Sequence, residues 1–231
     1  MGMERYDALS TACDAVILAN GQFPRHRVPT RVLEEAKLLV CCDGALATLH
    51  RERPELEARL LSEGRLLATG DGDSLSPALR ERYGAIFRQV YEQDDNDLTK
   101  ATRLVLSLVK SAGRQPVVAY LGATGLREDH TIGNVSLLRR YRADFGIRAA
   151  MYTDYGCFTP VVGDAMFATA RGLQMSIFNC SCSRLGSDGL RWPCRPFREW
   201  WEGTLNECIG SEVRFRADGQ YIVYLTYEAK S

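Results

Sequence analysis

Five short apolar runs in the first two thirds of the chain each end in a loop of Gly, Asp or Asn, and helical patterns separate them. The runs are residues 15–20, 38–42, 65–69, 85–90 and 116–121. They are too short for helices and apolar on consecutive positions, which suits strands buried on both faces. Between them, Thr30 is placed to cap a helix through Lys37, and a second helix is expected over 45–51. A short one begins at Pro77, where proline fits the first turn. Residues 97–112 carry the clearest apolar stripe (Leu98, Ala101, Val105, Leu108, Val109), with Gly113 as a stop. A helix over 130–142 and a sixth strand over 146–152 follow. Strand–helix alternation of this kind implies a mainly parallel sheet covered by helices.

The pattern changes near Tyr155. Residues 158–162, 173–179, 211–216 and 221–227 are β-rich, and Val213/Phe215 and Ile222/Tyr224 alternate at period two. Asp218-Gly219 makes a hairpin turn between the last two. The expected fold is an α/β N-terminal domain over 1–152 with a mainly parallel, helix-covered sheet. A small all-β, sandwich-like domain over 153–231 follows it.

Charge narrows the range of partners. The 231 residues include 29 basic and 29 acidic side chains, so there is no cationic excess to follow a nucleic-acid backbone. No apolar run approaches the roughly 20 residues of a membrane span. Ala15–Ala19 is too short for a secretory core. The eight cysteines have neither an export signal nor zinc-finger spacing beside them, and reduced thiols are expected. These features together predict a cytoplasmic protein.

Ligands of an open parallel sheet bind beyond the carboxyl ends of its strands, which is where the polar loops fall. In Gly70-Asp71-Gly72-Asp73-Ser74 two carboxylates at i and i+2 can face one point. A cation relieves their repulsion, and Mg²⁺ favours one or two carboxylates with substrate phosphates. Taken alone, the same stretch reads as an acidic surface turn. Residues 94–97 precede a long helix, where Asp and Asn also serve as caps, so Asp97 suits capping and catalysis equally. Lys100 lies one turn further on, in reach of a phosphate or of solvent. Gly122 and Gly125 allow backbone N–H groups to approach an anion just before a helix. Arg127 there is a phosphate clamp or one half of a surface pair with Asp129, and His130 a site residue or a helix start. There is no GxxxxGK[ST], dinucleotide fingerprint, GxSxG elbow or HExxH helix.

In order along the chain, ILANG (17–21), CDGA (42–45), GDGDSL (70–75), NDLTKA (96–101) and LGATGLREDHTIGN (121–134) resemble the thiamine pyrophosphokinase family. SDGLRWP (187–193) and LNE (205–207) match its later segments more weakly. The resemblance implies an α/β nucleotide-binding domain, a β-sandwich, and a homodimer holding thiamine between subunits. It also implies transfer of the pyrophosphoryl group of ATP to the thiamine hydroxyl with Mg²⁺, releasing AMP. On this resemblance Asp71 and Asp73 hold the metal, with Asp97 as a further acidic partner. Asn20 and Asp43 line the nucleotide, and Thr124, Arg127 and Asp129 form the phosphate loop, supported by Asn134. Trp192 and Asn206 contact thiamine. The chain departs from the family pattern at Gly72, at Asn96 (commonly threonine) and at Leu205 (commonly serine). The segment with Trp200-Trp201 and Arg195 to Arg198 does not align with the family's motifs and reads as a dimer or pocket insertion.

Two other readings remain open on the sequence. A pyrophosphokinase for a related alcohol would keep the α/β half and change the β half. A nucleotide sensor without chemistry would not need three acids beside a polyphosphate.

Overall fold

The computed structural model describes residues 3–7, 10, 12–71, 77–92, 94–109 and 113–230. Two compact units divide the chain, one formed by residues 11–134 and the other by residues 1–10 with 135–231. The first strand, β1 (Glu4–Asp7), belongs to the second unit.

The unit of residues 11–134 contains β2 (Ala15–Leu18), α1 (Arg27–Glu34), β3 (Leu39–Cys42), α2 (Ala45–Glu52), α3 (Pro54–Ser62) and β4 (Leu66–Gly70). It continues with α4 (Pro77–Tyr83), β5 (Phe87–Gln89), α5 (Asp97–Leu108) and β6 (Val117–Leu121), and holds the start of α6 (Glu128–Asp144). Its strands pair in parallel in the order β6-β2-β3-β4-β5. Every residue of β2 and β3 is buried, as their unbroken apolar runs require. Helices close over the sheet with apolar stripes such as Val32/Leu33 of α1 and Leu98/Ala101/Val105 of α5.

The chain runs β2 to β3, β4 and β5 on one side, then crosses to β6 on the other. Between β2 and β6, therefore, the loops leave the sheet in opposite directions and open a crevice.

Two local expectations are corrected, and one helix is added. Helix α1 begins at Arg27, not after Thr30, and His26 caps it by accepting the Val28 N–H at 3.3 Å. Pro29 in the first turn needs no N–H partner there, so the helix can start earlier. Helix α5 ends at Leu108 because Val109 takes extended dihedrals (φ −81°, ψ 106°). Helix α3 lacks a clear sequence signal, yet Pro54 opens it, with Leu56 and Leu60 buried.

The second unit carries β7 (Arg148–Tyr152), β8 (Gly156–Val162), β9 (Ala165–Ala168), β10 (Leu173–Asn179), β11 (Leu185–Asp188), β12 (Asn206–Glu207), β13 (Glu212–Ala217) and β14 (Gln220–Ala229). Strand β14 lies between β8 and β10, antiparallel to both, while β1, β9, β13 and β11 form a second sheet. The two sheets meet through rings: Phe215 of β13 stands 5.4 Å from Tyr221 of β14 and edge-on to Phe167 of β9. All eight cysteines are free.

Candidate active site

The crevice between β2 and β6 is closed at its base by two loops tied backbone to backbone. Gly21 N–H donates to the Gly122 carbonyl at 2.6 Å, and Gln22 N–H to Thr124 at 2.8 Å. Gly122 has φ +62°, and a Cβ there would sit 2.4 Å from the Ala19 carbonyl oxygen. No side chain fits, which explains why glycine stands there.

A cavity of about 420 Å³ opens above this junction. Its walls bring together Asn20, Asp43, Thr124 and Arg127 from loops, Asp97 from the start of α5, and His130 and Asn134 from α6, with Asn96 and Leu126 beside them. Asp71 stands at the end of β4, its backbone carbonyl held by Gln89 Nε2 at 2.9 Å. Asp73 lies outside the described residues.

The carboxylates interact. Burial pushes the Asp97 carboxyl above its ordinary value; Lys100 pulls it back, while Asp43 and Asp71 push it further up. Asp43 is only 8% exposed, and among the described residues its Oδ1 has no hydrogen-bond partner. Its backbone is left-handed (φ 34°), and Gly70 presses against it: a Cβ on Gly70 would come within 2.8 Å of Asp43 Cβ. A buried, unsatisfied carboxylate oxygen beside other acids costs free energy unless a cation or a donor meets it.

Among the described residues no three His, Cys, Asp or Glu side chains converge closely enough to hold an ion alone. Oxygen donors on Asp43, Asp71 and Asp97 nonetheless fit Mg²⁺, which takes few protein ligands and completes its shell with water and phosphate.

Lys100 is buried, with Nζ 3.7 Å from Asp97 Oδ1, so it faces the acid and not solvent. Arg127 holds Asp129 in a fork, Nε to Oδ1 at 3.1 Å and Nη2 to Oδ2 at 2.6 Å, and the His130 N–H adds 2.9 Å to Oδ1. That engagement holds the Asp129 carboxyl below its ordinary range, Arg127 being the main cause.

In the second unit Trp192 and Asn206 are brought together. Asn206 is buried, whereas the Trp192 ring stays open to solvent beneath Arg191, whose guanidinium carbon lies 5.3 Å from the ring centre. Sequence reasoning includes Gly70, Cys42 and Leu126 only as members of motifs, without a role of their own, and marks Asn96 only as a cap and a departure. A glycine closing a strand next to an acidic loop is the available signal for Gly70.

Known proteins are similar to this chain in sequence and in fold. The family model described as "Thiamin pyrophosphokinase, catalytic domain" matches residues 29–150, more than half of the chain. The chain belongs to the thiamin pyrophosphokinase family. The model for the family's substrate-binding domain matches residues 156–224. Thiamine pyrophosphokinase 1 of rice is 27% identical over 157 residues, covering 63% of this chain and 57% of that protein. Thiamine pyrophosphokinase 3 of rice is 29% identical over 142 residues, 56% of this chain and 52% of its own length. The chain thus matches little more than half the length of these curated relatives. The fold is similar to that of thiamin pyrophosphokinase from Candida albicans (TM-score 0.77, 14% identity, 98% of this chain and 93% of that one). It is similar also to the Bacillus subtilis enzyme (TM-score 0.69, 21% identity, 93% and 99%).

Proposed function

We propose that the protein transfers the pyrophosphoryl group of ATP to the hydroxyl of thiamine, giving thiamine diphosphate and AMP. One observation carries this reading: the cavity walls that bear Asp43, Asp97 and the glycine loop of residues 122–125 fall within the stretch matched by the family's catalytic model. In this reading residues 1–152 take nucleotide and metal, and residues 153–231 take thiamine. The working form is a cytoplasmic homodimer with thiamine at the subunit interface.

Asp71 and Asp73, with Asp97, would hold Mg²⁺. Bound there, the ion would neutralise charge on the transferring phosphates. Asn20 and Asp43 line the nucleotide. Thr124 and the backbone N–H groups of the glycine loop receive the polyphosphate at the start of α6, with His130 beside them and Asn134 bracing the loop. Arg127 keeps its Nε and Nη2 on Asp129 and offers the Nη1 side of its guanidinium to phosphate oxygens. Lys100 balances Asp97 from behind and so contributes to the site without touching solvent. Trp192 offers its exposed ring to the aromatic part of thiamine, and Asn206 sets that ring's position.

The thiamine oxygen attacks the β-phosphorus. As the new P–O bond forms, the bond from the β-phosphorus to the bridging oxygen breaks, and AMP leaves with the electron pair. Asp129 has both oxygens committed to Arg127, whereas Asp97 meets, among the described residues, Lys100 at 3.7 Å. Asp97 is therefore the better placed acceptor for the hydroxyl proton.

The test is incubation of the purified protein with ATP, Mg²⁺ and thiamine, resolving AMP from ADP. AMP with thiamine diphosphate is expected. ADP alone indicates an ordinary kinase, and turnover only with a different alcohol moves the substrate assignment.

A further inference from the structure

Asn96 joins two walls of the cavity that sequence order separates by more than twenty residues. Its Oδ1 accepts two bonds at the start of α5, from Thr99 N–H at 3.0 Å and Thr99 Oγ1 at 2.8 Å. Only its Nδ2 is left to donate, and it reaches Asn134 Oδ1 at 3.3 Å. The orientation of Asn134 is set in turn by the Ala123 carbonyl, which accepts from Asn134 Nδ2 at 2.8 Å. A carbonyl cannot donate and a backbone N–H cannot accept, so chemistry allows one sense of both amides. An unbroken path therefore runs from the first turn of α5, which carries Asp97, to the carbonyl between Gly122 and Thr124.

We infer that Asn96 is a positioning residue: through Asn134 it fixes the distance between the acidic helix start and the glycine loop. The inference rests on the reading that this cavity receives ATP. A polyphosphate must meet acids, or the metal they hold, on one wall and N–H donors on the other. Small displacements of one wall against the other then weaken binding more than they weaken the fold. A cap alone would need only an acceptor at position 96, and serine or threonine supplies one equally well. The amide donor is the part that capping does not explain.

Asn96→Thr separates the two roles, since it keeps the cap acceptor and removes the donor; Asn96→Ser is the alternative should the β-branched residue disturb folding. The expected result is a melting temperature close to the parent's with about five-fold weaker binding of the ATP analogue AMP-PNP, titrated without thiamine so that no acceptor hydroxyl can open its α–β bridge, on the scale of one hydrogen bond. In an Asn134→Ala background the same substitution should add nothing, because the path is already cut. Hydrogen exchange at residues 122–125 without nucleotide should quicken in Asn96→Thr. Unchanged exchange there, unchanged AMP-PNP affinity, or an undiminished effect in the Asn134→Ala background would overturn the inference. If the parent protein itself fails to bind AMP-PNP, the nucleotide reading falls, and the exchange measurement still decides whether Asn96 ties the two walls.

Discussion

The side chain of Asn206 holds both backbone polar groups of Trp192: Oδ1 accepts its N–H at 3.2 Å, and Nδ2 donates to its carbonyl at 2.6 Å. Glu207 N–H shares the same Oδ1 at 2.9 Å. An amide so engaged works chiefly by aiming the indole, which is 56% exposed. Asn206→Ala should therefore behave like Trp192→Ala. Each should raise the KM for thiamine about ten-fold, on the scale of one to two lost hydrogen bonds, with the KM for ATP nearly unchanged. The double variant should be little worse than either single one. Steady-state kinetics with each substrate varied in turn decides it, and additive losses would mean that Asn206 acts on its own.

Asp71→Asn should cut turnover at least about 100-fold, the scale of losing an oriented charge at a phosphoryl-transfer site. Asp73→Asn is expected to do the same. Melting temperatures should stay near the parent's, since removing one of several mutually repelling carboxylates relieves repulsion. Turnover near the parent's in both variants would remove these residues from the metal site.

Gly122→Ala tests the junction beneath the cavity. The added methyl would meet the Ala19 carbonyl oxygen at 2.4 Å, with the backbone already left-handed. We expect a loss of about 1–3 kcal/mol of stability together with weaker ATP binding, because the loops cannot part without moving the N–H donors. Chemical denaturation and nucleotide titration read the two effects. A stable variant with normal affinity would show that the junction yields without cost.

Acid should loosen one turn of the β unit. Asp218 accepts from Ser183 Oγ at 2.6 Å and from the Ser183 and Arg184 N–H groups at 2.9 and 2.8 Å. These bonds, that of the Ser183 hydroxyl first, hold its carboxyl well below the ordinary 3.8. A carboxyl depressed in the folded state contributes stability that is fully present above its unfolded value and lost as pH falls through the folded one. Asp218→Asn should thus be less stable than the parent at about pH 6, and the gap should narrow on descending below about pH 4. Urea melts at several pH values check this, and a gap independent of pH would mean that the carboxylate charge is not what the turn needs.

Much of the α/β half is legible in the order of its amino acids, because its elements are specified locally. Unbroken apolar runs such as Leu39–Cys42 can only be satisfied as strands covered on both faces, and the stripe of α5 recurs at helical spacing. The β half is less legible. Strand β1 pairs in parallel with β9, from Glu4 against Ala165 to Asp7 against Ala168, across more than 150 residues. Four alternating residues carry no signal of so distant a partner. The buried Glu57 is equally silent in sequence: its carboxylate is met by Arg82 at 3.3 Å and His50 at 3.4 Å, residues that only folding brings near.

By itself the sequence determined where the glycine-, aspartate- and asparagine-rich loops fall at strand ends, since these follow from backbone freedom and oxygen donors, both local properties. Only the tertiary structure decided what those residues do to one another. The β2–β6 crossover sets Gly21 against Gly122, Gly70 leaves room for Asp43, and Asn96 reaches Asn134. Such relations depend on strand order and on which side chains meet after the chain has crossed the sheet, and no periodicity along a single strand or helix encodes them.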